Sequence, residues 1–277
     1  MEMRNGEDGA PMNRTKGVLR SLLFLAACPL VLIITTSFVK TTSFTNTIQV
    51  GAITSAVTYA LTVLFLRWDG WKLSDAGLEL TPKTLSRVLF GIVIGSALVT
   101  LQESLLFASG HTHWTYHRGV SPTGSLLLAF AAYLLLALRE EIAFRAYPLR
   151  RLGHNLGMWA ALVSVAVVFT LEHMAGGLRL QQALLGPFAG AMMFGMAAFA
   201  TRGIAVPLGI HFAFNLGQWI MGQKETAGLW QASVDPAFQR QAEALGYTGY
   251  LLGTVITTFC FWLHYRKRVD SSVADKD

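Results

Sequence analysis

Charged side chains are scarce in this chain of 277 residues, and their scarcity excludes most soluble proteins. Asp, Glu, Lys and Arg together make up 14% of the sequence, whereas hydrophobic residues make up 53%. Ordinary soluble domains carry roughly 25% charged residues. A soluble globule could not cover its surface with so few charges, so a typical cytosolic enzyme, a disordered chain and a nucleic-acid-binding arm are excluded. No nucleic-acid partner is expected.

Cysteine and the familiar hydrolase motifs are also scarce or missing. The two cysteines, Cys28 and Cys260, lie far apart in apolar runs, which gives neither a disulfide framework nor a cysteine-based zinc site. No G-x-S-x-G or H-E-x-x-H pattern occurs, and no Ser–His–Asp arrangement is apparent. Serine-nucleophile chemistry and zincin-type chemistry therefore lose support.

Long apolar runs, in contrast, are abundant. Segments of about 20 mostly apolar residues are long enough to cross a bilayer as helices. Eight candidates occur, at residues 21–39, 47–66, 88–108, 123–145, 156–174, 183–201, 203–222 and 247–264. The sequence therefore predicts an all-α protein, a polytopic membrane bundle of about eight transmembrane helices in contact with membrane lipid.

Lysine and arginine are distributed unevenly between alternate loops. With eight spans, one side of the membrane receives 17 of them and the other side receives 5. Because cytoplasmic loops are enriched in Lys and Arg, both termini are predicted to be cytoplasmic, and the plasma (inner) membrane is the expected location. Residues 1–15 then form a polar cytoplasmic tail, residues 16–268 the transmembrane domain, and residues 269–277 a second polar tail.

A pair of glutamates at the end of the fourth span is the first candidate functional cluster. Ionisable groups within a membrane are costly and usually mark function. Glu141 and Arg145 are four residues apart, so they share a helix face and can form an ion pair. Glu140 points about 100° away and lacks that partner, which suits a general base next to a structural ion pair. Alternatively, the charges simply reach the cytoplasmic surface.

Two further polar pairs follow on later spans. Phe169 and His173 share a face of the fifth span, where Glu172 points elsewhere and receives no role. His211 and Asn215 share a face of the seventh span. Each pair alone is compatible with helix–helix hydrogen bonding. Taken together, the clusters supply a carboxylate base, two imidazoles and an amide, which are the groups that a water-splitting hydrolase needs.

These motifs, in this order on successive membrane helices, resemble the CPBP family. That family comprises type II CAAX prenyl proteases and bacteriocin-processing or immunity proteins, and is also called Abi. The motifs are Glu-Glu-x-x-x-Arg at 140–145, Phe-x-x-x-His at 169–173 and His-x-x-x-Asn at 211–215. The resemblance covers about 123–220, with a lead-in at 73–80. Ala146 stands where the family usually has glycine.

The resemblance implies a glutamate-dependent intramembrane endopeptidase that cleaves membrane-associated peptides, of which prenylated CAAX-type peptides are one class. In such a protein Glu140 and His173 would activate water, and His211 and Asn215 would stabilise the oxyanion. Glu141 with Arg145 would hold the helix and tune Glu140. Access to the peptide bond is expected from the cytoplasm, through a water-filled cavity.

Several alternatives stay open at this point. The reaction is expected to need no cofactor, but Glu140, His173 and His211 could form a His₂Glu zinc site, a known catalytic ligand set. The chain could instead be a non-catalytic membrane scaffold or a bacteriocin-immunity protein with the same fold. A transporter is less well supported, because paired broken helices are not visible.

Two structural expectations accompany this assignment. If the fourth helix continues to Arg150, Glu140 lies about 15 Å from its cytoplasmic end, whereas His173 lies about 25 Å from Leu156. The fifth helix must therefore be tilted or begin later, near Ala160, for the two side chains to meet. The loop segment 111–117, with three histidines, could bind a metal but is better explained as a polar interfacial loop.

Overall fold

The structure is a computed structural model that describes residues 14–117, 121–224 and 227–274. Within them the chain folds into ten α-helices and one two-stranded antiparallel sheet. The helices are α1 (Arg14–Phe38), α2 (Phe44–Asp69), α3 (Thr84–Ala108), α4 (Pro122–Arg145), α5 (Tyr147–Leu156), α6 (Met158–Ala175), α7 (Leu180–Ala183), α8 (Ala189–Thr201), α9 (Ala205–Ile220) and α10 (Gln239–Ala274). A π-helical turn, Leu184–Phe188, joins α7 to α8, and a 3₁₀ turn, Pro236–Phe238, precedes α10.

The all-α membrane bundle predicted from the sequence is confirmed. Each of the eight predicted spans falls on a helix of the structure. Among the described residues, six helices are long and apolar enough to cross a membrane. The other two are α4, which ends in the charged segment, and α9, which has 16 residues. The count of eight spans therefore stays a prediction.

The domain boundaries of the sequence analysis also stay a prediction. Helix α1 begins at Arg14 and α10 continues to Ala274, beyond the boundary expected at 268. Residues 1–13 and 275–277, which belong to the expected tails, lie outside the described residues.

Helices α3 and α9 pack against each other at backbone contact. A Cβ atom built on Gly91 would overlap the carbonyl oxygen of Val206, and one built on Gly209 would overlap that of Val88. Both positions therefore require glycine. Small residues at membrane helix interfaces allow this close approach where apolar burial drives little association. The contact holds α9, which carries His211, in a fixed place beside α3.

The fourth helix ends at Arg145, the last residue of the predicted span 123–145. Ala146 leaves the helical region, with φ −81° and ψ −109°, and α5 then starts a new direction. Pro148 explains the break, because it has no N–H to donate to the carbonyl four residues earlier. Arg150, from which the depth of Glu140 was calculated on the condition that the helix continues, lies in α5 instead. Helix α6 begins at Met158, midway between Leu156 and the late start expected near Ala160, so the choice between a late start and a tilt stays a prediction.

Polar contacts gather one set of helix ends at a single face, here called the basic face. Asp69, at the end of α2, contacts Arg20 of α1 and Arg151 of α5. It also accepts a hydrogen bond of 2.8 Å from the Tyr147 hydroxyl. On the same side, Arg268 of α10 donates to the carbonyl of Ala200 at the end of α8.

The opposite face carries a β-hairpin-like pair of strands that the sequence did not predict. Strands β1 (Thr112–Tyr116) and β2 (Trp230–Val234) pair antiparallel, with Thr112 opposite Val234. The strands join the loop after α3 to the loop after α9, so the pairing connects segments over 100 residues apart. We call this side of the molecule the hairpin face.

The α3–α9 contact yields a test of the packing. Gly209→Ala should destabilise the protein by at least about 1–3 kcal/mol, because its methyl group would overlap the Val88 backbone. Thermal unfolding in detergent measures this. Gly124→Ala is the matched control, since its Cβ would meet nothing closer than 3.5 Å. Equal unfolding temperatures for the two variants would contradict the packing described here.

Candidate active site

The centre of the candidate site is a buried group of three side chains, Glu141, Arg145 and His211. Glu141 and Arg145 are fully buried, and Arg145 Nη1 lies 3.6 Å from Glu141 Oε1. The same oxygen accepts a hydrogen bond of 2.8 Å from His211 Nδ1. The ion pair between Glu141 and Arg145 lies where the spacing of the two residues predicted it. The additional link to His211 joins α4 to α9.

Three phenyl rings surround the Arg145 guanidinium. Its central carbon lies 4.4 Å from the ring centre of Phe169, 5.2 Å from that of Phe194 and 5.7 Å from that of Phe144. The π faces of these rings attract a cation. Phe194 also stacks on the His211 ring, with centroids 4.7 Å apart. The buried charge is thus held by α4, α6 and α8 at once.

Glu140 has different surroundings from its neighbour. Its side chain is 15% exposed, and its Oε2 lies 3.6 Å from His211 Nε2. Its other oxygen lies 3.7 Å from Arg139 Nη1. Glu140 Oε2 is itself buried, and among the described residues no side chain donates a hydrogen bond to it. The imidazole of His211 therefore lies between the two glutamates.

Arg139 and Glu172 form a bidentate ion pair that the sequence analysis missed. Arg139 Nη1 and Nη2 donate to the two carboxylate oxygens of Glu172 at 2.6 and 2.7 Å. Such forked pairs are geometrically specific as well as strong. This pair fixes α6 against α4 one residue from both Glu140 and His173. No periodic signal could have identified it, because it depends on the register between two helices.

The next candidate, His173, is held in one orientation by its own helix. Its Nδ1 lies 2.9 Å from the carbonyl oxygen of Phe169, which can only accept, so Nδ1 carries the proton. Nε2 is then the nitrogen that can take up a proton in the neutral ring. The predicted pairing of Phe169 with His173 on one face is present, with ring centroids 4.4 Å apart.

A lysine that the sequence analysis did not consider contacts the last candidate. Lys224 Nζ, from the loop after α9, donates a hydrogen bond of 3.0 Å to Asn215 Oδ1. Burial lowers the pKa of Lys224 to about 8, although the negative field of Glu140 acts in the opposite direction. Since an ammonium can only donate, the amide oxygen of Asn215 must face it, and the amide N–H groups point away. Nothing in the sequence indicates that the side chain of this loop lysine points into the protein.

These groups meet around one cavity of about 840 Å³. Glu140, His173, His211 and Asn215 all line it, and so does Lys224. Glu141 and Arg145 lie behind the cavity wall. The structure therefore brings four of the six candidate residues to one cavity and places the other two as their support.

The comparisons with known proteins point to the same segment. Residues 122–217 match the family model described as type II CAAX prenyl endopeptidase Rce1-like. This segment is similar to that family, and residues 122–217 are here called the Rce1-like core. The resemblance drawn from the three motifs is thereby confirmed, and the family supports a protease or hydrolase function in general. No curated protein and no solved structure matches the chain.

The resemblance left open whether Glu140, His173 and His211 hold a zinc ion. His173 and His211 each use Nδ1 within the protein, as metal-binding histidines commonly do. Within the described ranges, however, no three His, Cys, Asp or Glu side chains are close enough together to hold one metal ion. Glu140, His173 and His211 therefore do not fit a zinc site in this arrangement. In the loop 111–117, His111 and His113 contact Asp235 instead.

The buried ion pair of this Rce1-like core predicts a large stability effect. Glu141→Ala should lower the free energy of unfolding by about 3–5 kcal/mol, because it leaves the Arg145 charge buried without its partner. The double variant Glu141→Ala with Arg145→Met should recover much of the loss, since it removes the stranded charge. Thermal unfolding of both variants in detergent checks this, and a single variant as stable as the wild type would contradict it.

Proposed function

We propose that the protein is an intramembrane endopeptidase that uses Glu140 to activate water against a peptide bond. The observation that carries the proposal is the cavity within the Rce1-like core, which is lined by Glu140, His173, His211 and Asn215 together. The proposed chemistry uses no metal, because these residues are not arranged as a set of metal ligands.

The two glutamates suit different tasks because their surroundings differ. Glu141 is fully buried, ion-paired with Arg145 and hydrogen-bonded to His211, so it is committed to structure. Glu140, in contrast, lines the cavity, and Glu141 does not. A general base must lie within hydrogen-bond reach of the water it deprotonates, and only Glu140 of the two meets the cavity.

In the proposed reaction, each proton and each developing charge can be assigned to a particular atom of the site or the substrate. The water oxygen bonds to the substrate carbonyl carbon while its proton passes to Glu140, and Nε2 of His173 helps to orient that water. The resulting oxyanion requires donors, which the Asn215 amide supplies, together with His211 Nε2 when the ring carries a proton on both nitrogens. Collapse of the intermediate breaks the C–N bond as the proton passes from Glu140 to the leaving amine.

Lys224 acts in this proposal as a positioning residue for Asn215. Its hydrogen bond to Asn215 Oδ1 turns the amide N–H groups away from the lysine, so that they can donate to an oxyanion. Its positive charge, one side chain away, also favours the negative charge that develops there. The site therefore combines an amide donor with a nearby cation.

The cavity suits a peptide that is held at a membrane. Its volume of about 840 Å³ falls within the range typical of binding sites for small molecules or short peptide segments. Apolar side chains such as Leu136 and Phe214 line it beside the polar groups. We propose an integral protein of the plasma membrane with a membrane-associated peptide or protein as substrate, for which a prenylated CAAX-type peptide is one option.

The first test compares cells that express wild type, Glu140→Ala or Glu79→Ala at matched membrane levels. New peptide N-termini in the membrane fractions, measured by mass spectrometry, should appear with wild type and with Glu79→Ala, and should be absent with Glu140→Ala. Glu79 is an exposed glutamate and serves as the control. Because every new N-terminus is counted, the substrate does not have to be chosen in advance.

The same comparison addresses the alternative function. A scaffold or immunity protein would give no N-termini that depend on Glu140, although Glu140→Ala remained folded and inserted. That result would contradict the protease proposal and leave Glu140 as a structural carboxylate.

The role of Lys224 can be tested with the substrate that the first comparison identifies. Lys224→Met should lower kcat/KM at least about tenfold, because hydrogen bonds to charged groups contribute about 1.5–3 kcal/mol. In the wild type, activity should fall as the pH rises through about 8, since Lys224 is charged below its pKa and neutral above it.

Lys224→Arg keeps its charge at all these pH values, so it should retain activity and lose that alkaline decline. An unchanged pH profile in Lys224→Arg would assign the decline to another group and remove Lys224 from the mechanism.

A further inference from the structure

The location of the cavity relative to the basic face determines which side of the membrane can supply the substrate. We propose that the site opens away from the cytoplasm, so that its substrates are peptide segments exposed on the extracytoplasmic side. The statement about substrates rests on the proposed protease function, whereas the direction of the opening does not.

The cavity reaches the hairpin face. Besides the candidate catalytic residues, its lining includes Thr112 of β1, with Ala232 and Val234 of β2. Residues from the adjoining helix ends also line it, among them Leu106 near the end of α3 and Ala242 near the start of α10. The cavity therefore extends from the catalytic glutamate to the pair of strands on the hairpin face.

At the other end of the bundle, a layer of protein separates this cavity from the basic face. Helix α5 lies across it, and its residues Tyr147, Leu149 and Leu152 are 0–1% exposed. Arg150 donates a hydrogen bond of 2.7 Å to the carbonyl of Ala198 in α8. Neither α5 nor the cluster around the end of α2 contributes a residue to the cavity lining. A substrate that approached from the basic face would meet this closed layer.

The charge distribution assigns the closed layer to the cytoplasm. Of the 22 Lys and Arg residues, 17 belong to the segments that the predicted span order assigns to the side of the basic face. Contacts of Arg20, Arg151 and Arg268 with neighbouring helix ends gather these segments at one end of the bundle. Since Lys and Arg are concentrated in cytoplasmic loops, the hairpin face and the opening lie on the other side.

The two expectations drawn from the sequence therefore exclude each other. Cytoplasmic termini follow from the basic residues, whereas cytoplasmic access for the substrate followed from the resemblance. With cytoplasmic termini, the cavity opens outward, and a prenylated C-terminus in the cytoplasm could not reach Glu140 through the closed layer. Segments of exported or membrane-inserted proteins on the outer side are the substrates that this geometry admits.

The test measures which side of the membrane reaches introduced cysteines. The parent carries Cys260→Ala and keeps Cys28, which is fully buried. Reporters are Ala237→Cys on the hairpin face, Leu136→Cys and Gln218→Cys in the cavity, and Ser74→Cys on the basic face. Spheroplasts are treated with 2-sulfonatoethyl methanethiosulfonate, which cannot cross the membrane, before or after permeabilisation. Thiols that remain are then counted with a polyethylene-glycol maleimide by gel shift, with the parent as the blank.

We expect the hairpin and cavity thiols to be blocked in intact spheroplasts and Ser74→Cys to be blocked only after permeabilisation. Any result in which both cavity thiols require permeabilisation, or remain unblocked throughout, would overturn the proposal. Two cavity positions guard against one variant that fails to fold. The pattern should be the same in a Glu140→Ala background, so a failure of access is distinguishable from a failure of catalysis.

Discussion

The structure depends on one buried cation, the guanidinium of Arg145. A charge without solvent inside a membrane protein is costly, and its surroundings must compensate for it. Here Glu141 balances the charge, three phenyl rings cover it, and His211 shares the balancing carboxylate. Because these partners come from α4, α6, α8 and α9, neutralising one cation positions four helices. The geometry of the cavity follows from that arrangement.

The same constraint separates two carboxylates that are adjacent in the chain. Adjacent helical residues point about 100° apart, so one glutamate can serve the cation while the other faces the cavity. The imidazole of His211 lies between them, with Nδ1 on Glu141 and Nε2 near Glu140. A proton on either ring nitrogen therefore interacts electrostatically with both carboxylates. The buried ion pair thus sets the orientation of a histidine that the proposed chemistry uses.

Local spacing predicted much of this site, because its central contacts follow helix periodicity. The pairing of Glu141 with Arg145 and the shared face of Phe169 and His173 required only the four-residue repeat. Contacts that depend on how helices meet were not predictable, among them the Arg139–Glu172 pair and the inward turn of Lys224. The fold divides in the same way: apolar runs identified the helices, whereas the two strands depend on contacts between distant loops. The end of α4 at Arg145 was predictable as well, because the fourth predicted span ended at that residue.

Lys224 connects the charge distribution to the site. The predicted span order assigns only 5 of the 22 Lys and Arg residues to the loops opposite the basic face. One of these five turns into the cavity and donates to Asn215, at a position where burial already disfavours its charge. A lysine that both burial and topology oppose needs a compensating interaction beyond the Asn215 amide, and the negative field of Glu140 supplies only part of it. A substrate that brings negative charge to the cavity, whether an oxyanion or a carboxylate, would supply it from the side on which the cavity opens.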